Sequence, residues 1–382
     1  MQLAVDFNRP HDYTVHLPTH VDEFWTAKQR AGHSLHEVSY RACYKPQLPA
    51  YFIKKLCKSE SVIYDPFMGR GTTLIEAQLH GHRVIGNDVN PLSKILTAPR
   101  LNPPTLEQIA ERLETVNLAT DTEIDTEMLV FFHEQTLREI SAWRKHFQQE
   151  HLDTVDAWVQ MVACTRLTGH SSGFFSVFTL PPNLAASIVA QRKINEKRNQ
   201  KPEYRDTKAL ILRKSKQLLR HNLPEIFWRD DAILLTESAD STPQIADGSV
   251  DLVVTSPPFL DTIDYMQDNW LRMWFCRIEV EEGKIWQLKS LEDWTTRMTD
   301  VFAELHRVLK HEGRIAFEVG EVRNGTVFLE NAVAKAAIDV GLQPEMLLIN
   351  AQKFTKTANC WGVSNNRKGT NSNRIVILKK HD

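Results

Sequence analysis

Two glycines flanking one arginine, Gly69-Arg70-Gly71, stand between a short β-rich run, Ser61-Val62-Ile63-Tyr64-Asp65-Pro66-Phe67, and a helical stretch from Thr72 to His80. A second apolar run follows, Arg83-Val84-Ile85-Gly86-Asn87-Asp88-Val89. Glycine lets a chain turn tightly out of a buried strand and lets a ligand approach the backbone. Strand, glycine turn, helix, strand is the opening of a parallel, doubly wound sheet.

The second half of the chain supplies more of the same. Ala232 to Leu235, Ser249 to Thr255, Arg314 to Val319, Met346 to Asn350 and Arg374 to Lys379 read as strands, giving seven in all. Met298, Val301, Phe302, Leu305 and Leu309 recur at helical spacing, and Val327 to Val340 is helical. Between the halves the pattern is helical over Ile109–Val116, Glu127–Phe147, Asp153–Leu167 and Asn183–Leu223, with Pro181-Pro182 as punctuation. The expected architecture is one α/β domain, residues 1–98 and 230–382, interrupted by a helical insertion over 99–229. With 42% hydrophobic residues in 382, a full core is available, and disordered or fibrous classes are excluded.

The glycine turn lacks the third glycine of a dinucleotide fingerprint, because Thr72 and Thr73 follow Gly71, and it lacks the Gly-Lys-Ser/Thr ending of a P-loop. It is therefore not read as a pyrophosphate cradle. Asp88 ends the second strand, 17 residues after Gly71, where an acid can accept both hydroxyls of a ribose. Together these features fit a nucleoside cofactor without a pyrophosphate.

A second turn follows the apolar run Leu252-Val253-Val254-Thr255, and its sequence is Ser256-Pro257-Pro258-Phe259. Two prolines cannot continue a strand ladder, so they fix a rigid turn at the carboxyl edge where open α/β sheets bind ligands. Ser256 Oγ and the Pro257 carbonyl can accept hydrogen bonds, and Phe259 adds a flat apolar face. Acceptors beside a stacking surface suit an exocyclic amine on a planar base.

A net charge of -2 excludes a uniformly basic nucleic-acid coat. It conceals a local asymmetry: Gln191 to His221 carries eleven Lys and Arg against three acids, a charge of +8, leaving -10 elsewhere. Lys193, Arg198, Lys214 and Lys216 of this stretch, and Arg367, Lys368, Asn371 and Arg374 of a polar basic segment before the last strand, are the expected DNA contacts. Phe174-Phe175 and Trp270, Trp274 and Phe275 read as core. Five cysteines without a C-x-x-C pair suggest reduced thiols, and no metal site is expected. Met1 to Pro18 lacks the apolar centre of a signal peptide, and no apolar run reaches membrane-spanning length. A cytoplasmic protein that does not enter a membrane is expected.

Asp65-Pro66-Phe67-Met68-Gly69-Arg70-Gly71-Thr72-Thr73 and Thr255-Ser256-Pro257-Pro258-Phe259 resemble motifs I and IV of the amino-group DNA methyltransferases. The resemblance covers about Tyr40–Leu96 and Asp230–Lys380. It implies a Rossmann-like, seven-stranded class I methyltransferase sheet, S-adenosylmethionine as cofactor, and DNA as partner, with a restriction endonuclease as a further expected partner. By it, Ser256, Pro257, Pro258 and Phe259 are catalytic. Asp65, Pro66, Phe67, Gly69, Gly71, Thr72, Thr73 and Asp88 bind the cofactor, with Tyr44-Lys45-Pro46 as motif X and Asp240 as the acid that meets the adenine amino group. Serine before Pro-Pro resembles the cytosine-N4 branch; adenine-N6 methylation and an RNA exocyclic amine, as in tRNA guanine-N2 enzymes, are the alternatives. Motifs X and I precede motif IV here, whereas many N4-cytosine enzymes begin with motif IV, so the segment that reads the target is open. The insertion is the expected recognition region.

Overall fold

The computed structural model describes residues 17–25, 32–119, 122–227, 232–258, 260, 264–281, 283–322, 327–351 and 372–381. The N-terminal part contributes strand β1 (Thr19–Asp22), helix α1 (Gln47–Leu56), β2 (Val62–Asp65), α2 (Thr72–Leu79), β3 (Arg83–Asn87) and α3 (Pro91–Leu101). Helices α4 (Leu106–Thr115), α5 (Glu134–His146), α6 (Thr154–Arg166), α7 (Ile188–Arg198) and α8 (Thr207–Leu218) follow. The chain then returns to the sheet with β4 (Ile233–Leu235), β5 (Val250–Thr255), α9 (Tyr265–Cys276), α10 (Leu291–Val308) and β6 (Leu309–Val319). A short hairpin, β7 (Glu321–Val322) and β8 (Val327–Phe328), precedes α11 (Leu329–Asp339), β9 (Leu342–Ala351) and β10 (Ser372–Lys380).

Eight strands form one sheet in the order β1-β9-β10-β6-β5-β2-β3-β4. β2 is parallel to β3 and β5, β3 to β4, and β5 to β6, while β10 runs antiparallel to both β6 and β9. From β2 and β5 in the middle of the sheet the chain winds outward in both directions, which places a ligand crevice at their carboxyl ends. This is the expected seven-stranded order with one strand added: β1 lies parallel to β9 at the edge.

Alternation along the strands builds two cores. Ile63, Leu252, Ala316 and Ile375 face α1, α2, α3 and the inserted helices, whereas Tyr64, Val253, Phe317 and Val376 face α10 and α11. The inserted helices share the first core rather than enclosing a separate one. Trp143 and Trp158 are fully buried there, and each indole satisfies its N–H on α8, at Thr207 Oγ1 and Ser215 Oγ (both 3.0 Å).

Two long helices of the sequence reading divide. Glu127–Phe147 breaks before α5, where the His133 ring accepts from the Gln135 N–H and caps the new helix. Asn183–Leu223 breaks at Asn199, which ends α7 in the left-handed conformation with φ 45°. Among the described residues, no helix is long and apolar enough to cross a membrane.

Candidate active site

The carboxyl ends of β2, β3, β5 and β6 bring four side chains to one edge: Asp65, Asp88, Ser256 and Glu318. Asp65 is fully buried and holds the edge together. It accepts from Thr255 Oγ1 (2.6 Å), Tyr44 OH (2.9 Å) and the Phe67 N–H (3.1 Å). Tyr44 OH also lies 2.5 Å from Thr73 Oγ1, which donates to the Val254 carbonyl at 3.0 Å. Burial pushes the Asp65 carboxyl up to about 6, against the pull of those donors. Its position locks the segment before α1, the glycine turn and the end of β5 to one another.

Above this layer a cleft opens. Phe67, Ile285 and Trp286 give it apolar walls, and the Phe67 and Trp286 rings meet edge to face at 6.2 Å. Asp88 lines the floor, accepting from the Gly69 N–H through one oxygen and the Asn90 N–H through the other, both at 2.9 Å. Burial raises its carboxyl above the usual range. Asn90 caps α3 by accepting from Leu92 at 3.0 Å, while its buried Nδ2 has no hydrogen-bond partner. A buried amide donor left open beside a ligand cleft is costly unless something fills it.

The glycine turn reaches this cleft because both glycines take positive φ, 48° at Gly69 and 73° at Gly71. A Cβ on Gly71 would sit 2.4 Å from Thr97 Cγ2. Gly71→Ala is therefore expected to destabilise the protein by about 1–3 kcal/mol, seen as a lower urea midpoint. Gly248→Ala, at φ 57° with open space around it, should lose less. Equal losses would show that the contact with Thr97 is of no consequence.

At the other wall, Ser256 and Pro258 line the cleft and Pro257 is buried behind them. Trp294 Nε1 donates to the Pro258 carbonyl at 3.0 Å and ties the proline turn to α10. Beside Ser256 lies Glu318, a buried carboxylate that accepts from Asn373 Nδ2 at 2.8 Å. Burial pushes the Glu318 carboxyl up.

Of the residues singled out from sequence, Tyr44, Pro66, Phe67, Gly69, Thr72, Asp88, Ser256 and Pro258 line this cleft together. Asp65, Gly71 and Thr73 lie beneath it as supports. Lys45 and Pro46 face a second cavity on the other side of the same segment. Asp240 is turned toward Arg297, at 3.6 Å, while its neighbours Ser238 and Ala239 reach the cleft. Phe259, Arg367, Lys368 and Asn371 lie outside the described residues.

The basic positions divide as well. Lys193 and Lys216 are exposed, and the exposed Arg198 stacks on Phe178, 3.7 Å from the ring centroid. Lys214 is not on the solvated face: it is buried in the second cavity. Arg374 is corrected as a surface contact, because its guanidinium is buried and bonds to buried Glu330, with Nε at 2.7 Å. Tyr40, Asn90, Trp286 and Glu318 were missed. Glu318 alone had a visible signal, as an acid inside the apolar run Ile315–Val319.

A family model described as DNA methylase, covering the N6 and N4 enzymes, matches residues 8–94 and 250–382, the two stretches that flank the helical segment. The type II methyltransferase M.MvaI of Kocuria varians is 26% identical over 282 residues, covering 66% of this chain and 60% of that protein. M.BsoBI of Geobacillus stearothermophilus, also a type II methyltransferase, is 24% identical over 302 residues, 68% of this chain and 55% of its own length. The chain thus spans less than two thirds of either relative. Among solved structures, TrmN from Thermus thermophilus aligns with 91% of this chain and 51% of its own, at 11% identity and a TM-score of 0.35. The family match extends over more than half of the sequence, and the chain belongs to the N6/N4 DNA methylase family.

Proposed function

We propose that this member of the N6/N4 DNA methylase family transfers a methyl group from S-adenosylmethionine to the exocyclic N4 amine of a cytosine in DNA. The observation that carries the reading is one cleft with Asp88 on its floor and the Ser256-Pro257-Pro258 turn, backed by Glu318, on its wall. The residues present fit the cofactor. Asp88 offers acceptors for ribose hydroxyls, the unpartnered Asn90 Nδ2 offers a donor, and Phe67, Ile285 and Trp286 cover apolar surface. When bound, S-adenosylmethionine supplies an electrophilic methyl on a sulfonium.

The remaining chemistry belongs to the chain. An aromatic amine has its lone pair delocalised into the ring and is a weak nucleophile. A Ser256 hydroxyl that donates to the neighbouring Glu318 keeps its oxygen lone pairs free to accept from the amine N–H, and the Pro257 carbonyl serves as second acceptor. Two acceptors favour the pyramidal nitrogen and fix its direction, and ideal alignment of reactants contributes roughly 7–11 kcal/mol. The proton lost from the amine passes to Ser256 Oγ as the serine proton passes to Glu318, leaving the hydroxyl unchanged and the carboxylate protonated. Burial makes Glu318 a better base than an exposed glutamate. The target base must leave the stack to reach this wall.

Serine at the first position of the turn supports cytosine, and the type II names of the two relatives support DNA. Incubation with labelled S-adenosylmethionine and mixed-sequence duplex, followed by digestion to nucleosides, is expected to place label in N4-methylcytosine. Label in N6-methyladenine would change the base assigned, and label only in tRNA would sink the reading.

A further inference from the structure

The segment from Tyr40 to Cys43, with Arg70, forms a wall shared by the methyl-transfer cleft and a second cavity of about 710 Å³. The far side of that cavity is made by α6, α8 and the loop between α6 and α7. We propose that this cavity is a phosphate site, built on Arg166 and Lys214, that takes a backbone phosphate of the DNA strand beside the target nucleotide.

Arg166 carries the argument. Its residue is 9% exposed, its Nε has no hydrogen-bond partner, and its guanidinium lies 4.2 Å from the centroid of the Phe174 ring. Stacking occupies one face of the guanidinium and leaves the N–H edges, the geometry with which arginine grips phosphate oxygens. Lys214, 6% exposed, lines the same cavity and, among the described residues, bonds only to Gln217 Oε1 at 3.0 Å. Among the described residues neither cation has a carboxylate within ion-pair distance. Glu37, the acid on the cavity wall, is held by Arg220 and Gln217, both at 2.8 Å.

Glu37 acts on Lys214 across the cavity, but the surrounding cations outnumber it. Arg100 is fully buried and donates to the carbonyls of Leu96, Leu35 and Arg70. Arg70 donates through Nη1 to the Val38 and His36 carbonyls and through Nε to Thr72 Oγ1. Burial and neighbouring cations push Lys214 down to about 8 and Arg166 down to about 9. Buried cations without a counter-charge are costly, and an anion in the cavity removes that cost. The shared wall selects a nucleic-acid phosphate: a nucleotide whose base enters the cleft leaves its phosphates at the cleft mouth, next to this cavity. That choice of source rests on the DNA methyltransferase reading, whereas the anion site itself does not.

The test uses the full chain, with Arg166→Met, Arg166→Lys and Lys214→Met. Duplex affinity is followed by fluorescence anisotropy across a KCl series, and S-adenosylmethionine affinity by calorimetry serves as the control. Loss of one phosphate contact should lower the slope of log K against log [KCl] by about 0.9 and weaken binding about tenfold at low salt, with cofactor affinity unchanged. A methylphosphonate placed singly along the duplex should weaken wild type at one position beside the target, and that position should be silent in Lys214→Met, which tests the site even if the Arg166 variants do not fold. Unchanged slopes together with no sensitive methylphosphonate position would overturn the proposal. If wild type binds no DNA, calorimetry with inorganic phosphate decides. Phosphate binding abolished by Lys214→Met would keep the anion site with a free phosphate as its ligand and remove the strand. No phosphate binding by wild type would remove the site.

Discussion

Ser256→Ala is expected to lower the rate of methyl transfer about 100-fold or more while leaving S-adenosylmethionine affinity within twofold of wild type. In the proposed mechanism the substitution removes one of two acceptors that orient the amine and cuts the path of its proton to Glu318, and a positioned acid-base group contributes typically 10²–10⁴-fold. Glu318→Gln separates the two contributions. Glutamine can still accept from Ser256 and so preserves orientation, but it cannot take a proton, and a fall of about 10–100-fold is expected. The pH profile carries the sign. The carboxylate is the active form, so the wild-type rate should fall on the acid side of the raised Glu318 pKa, and that limb should disappear in Glu318→Gln.

Stability should move in the opposite direction from activity. The folded state raises the Glu318 pKa, so its contribution is most favourable below the unfolded pKa and is lost as pH rises through the folded one. Glu318→Gln should therefore hold or gain urea resistance at pH 8 relative to wild type, and lose that advantage near pH 4. A variant that is slower and also less stable at pH 8 would mark Glu318 as a structural support only. Full activity of Ser256→Ala would remove the serine from the chemistry altogether.

What the sequence disclosed follows from how local the determinants are. β2, β3, β5 and β6 were legible because central parallel strands are buried on both faces and read as unbroken apolar runs. β1 was not, since of its four residues only Thr19 is buried and an edge strand leaves no alternating pattern. The glycine turn, Asp88 and the Ser256 turn were legible because each is fixed by its own backbone requirement. Asp65 reads as a cofactor residue, and its burial between Tyr44 and Thr255 was not legible, because these partners come from distant segments that no spacing rule joins. The basic stretch is the sharpest case. Counting charge gave +8 and one presumed face, yet Lys214 sits in helical phase with Leu210, Ile211 and Leu218 and turns inward with them. Charge totals carry no direction; the helical period does.

Asp88→Ala is expected to weaken S-adenosylmethionine binding about 10–150-fold, the range for losing hydrogen bonds to a charged group worth about 1.5–3 kcal/mol. Two losses combine in this number. In the proposed reading the carboxylate accepts from the ribose hydroxyls, and in the structure it holds Gly69 and Asn90 through their N–H groups at 2.9 Å each. Removing it therefore both deletes a ligand contact and frees the glycine turn. The two are separable with S-adenosylhomocysteine and its 2′-deoxy analogue. Wild type should prefer the full ribose, whereas Asp88→Ala should bind both analogues equally, because a loosened turn weakens each alike and only the missing carboxylate erases the preference. If the variant keeps the wild-type preference, Asp88 shapes the turn without touching the ribose. Unchanged affinity for both ligands, measured by calorimetry, would take Asp88 out of the cofactor site.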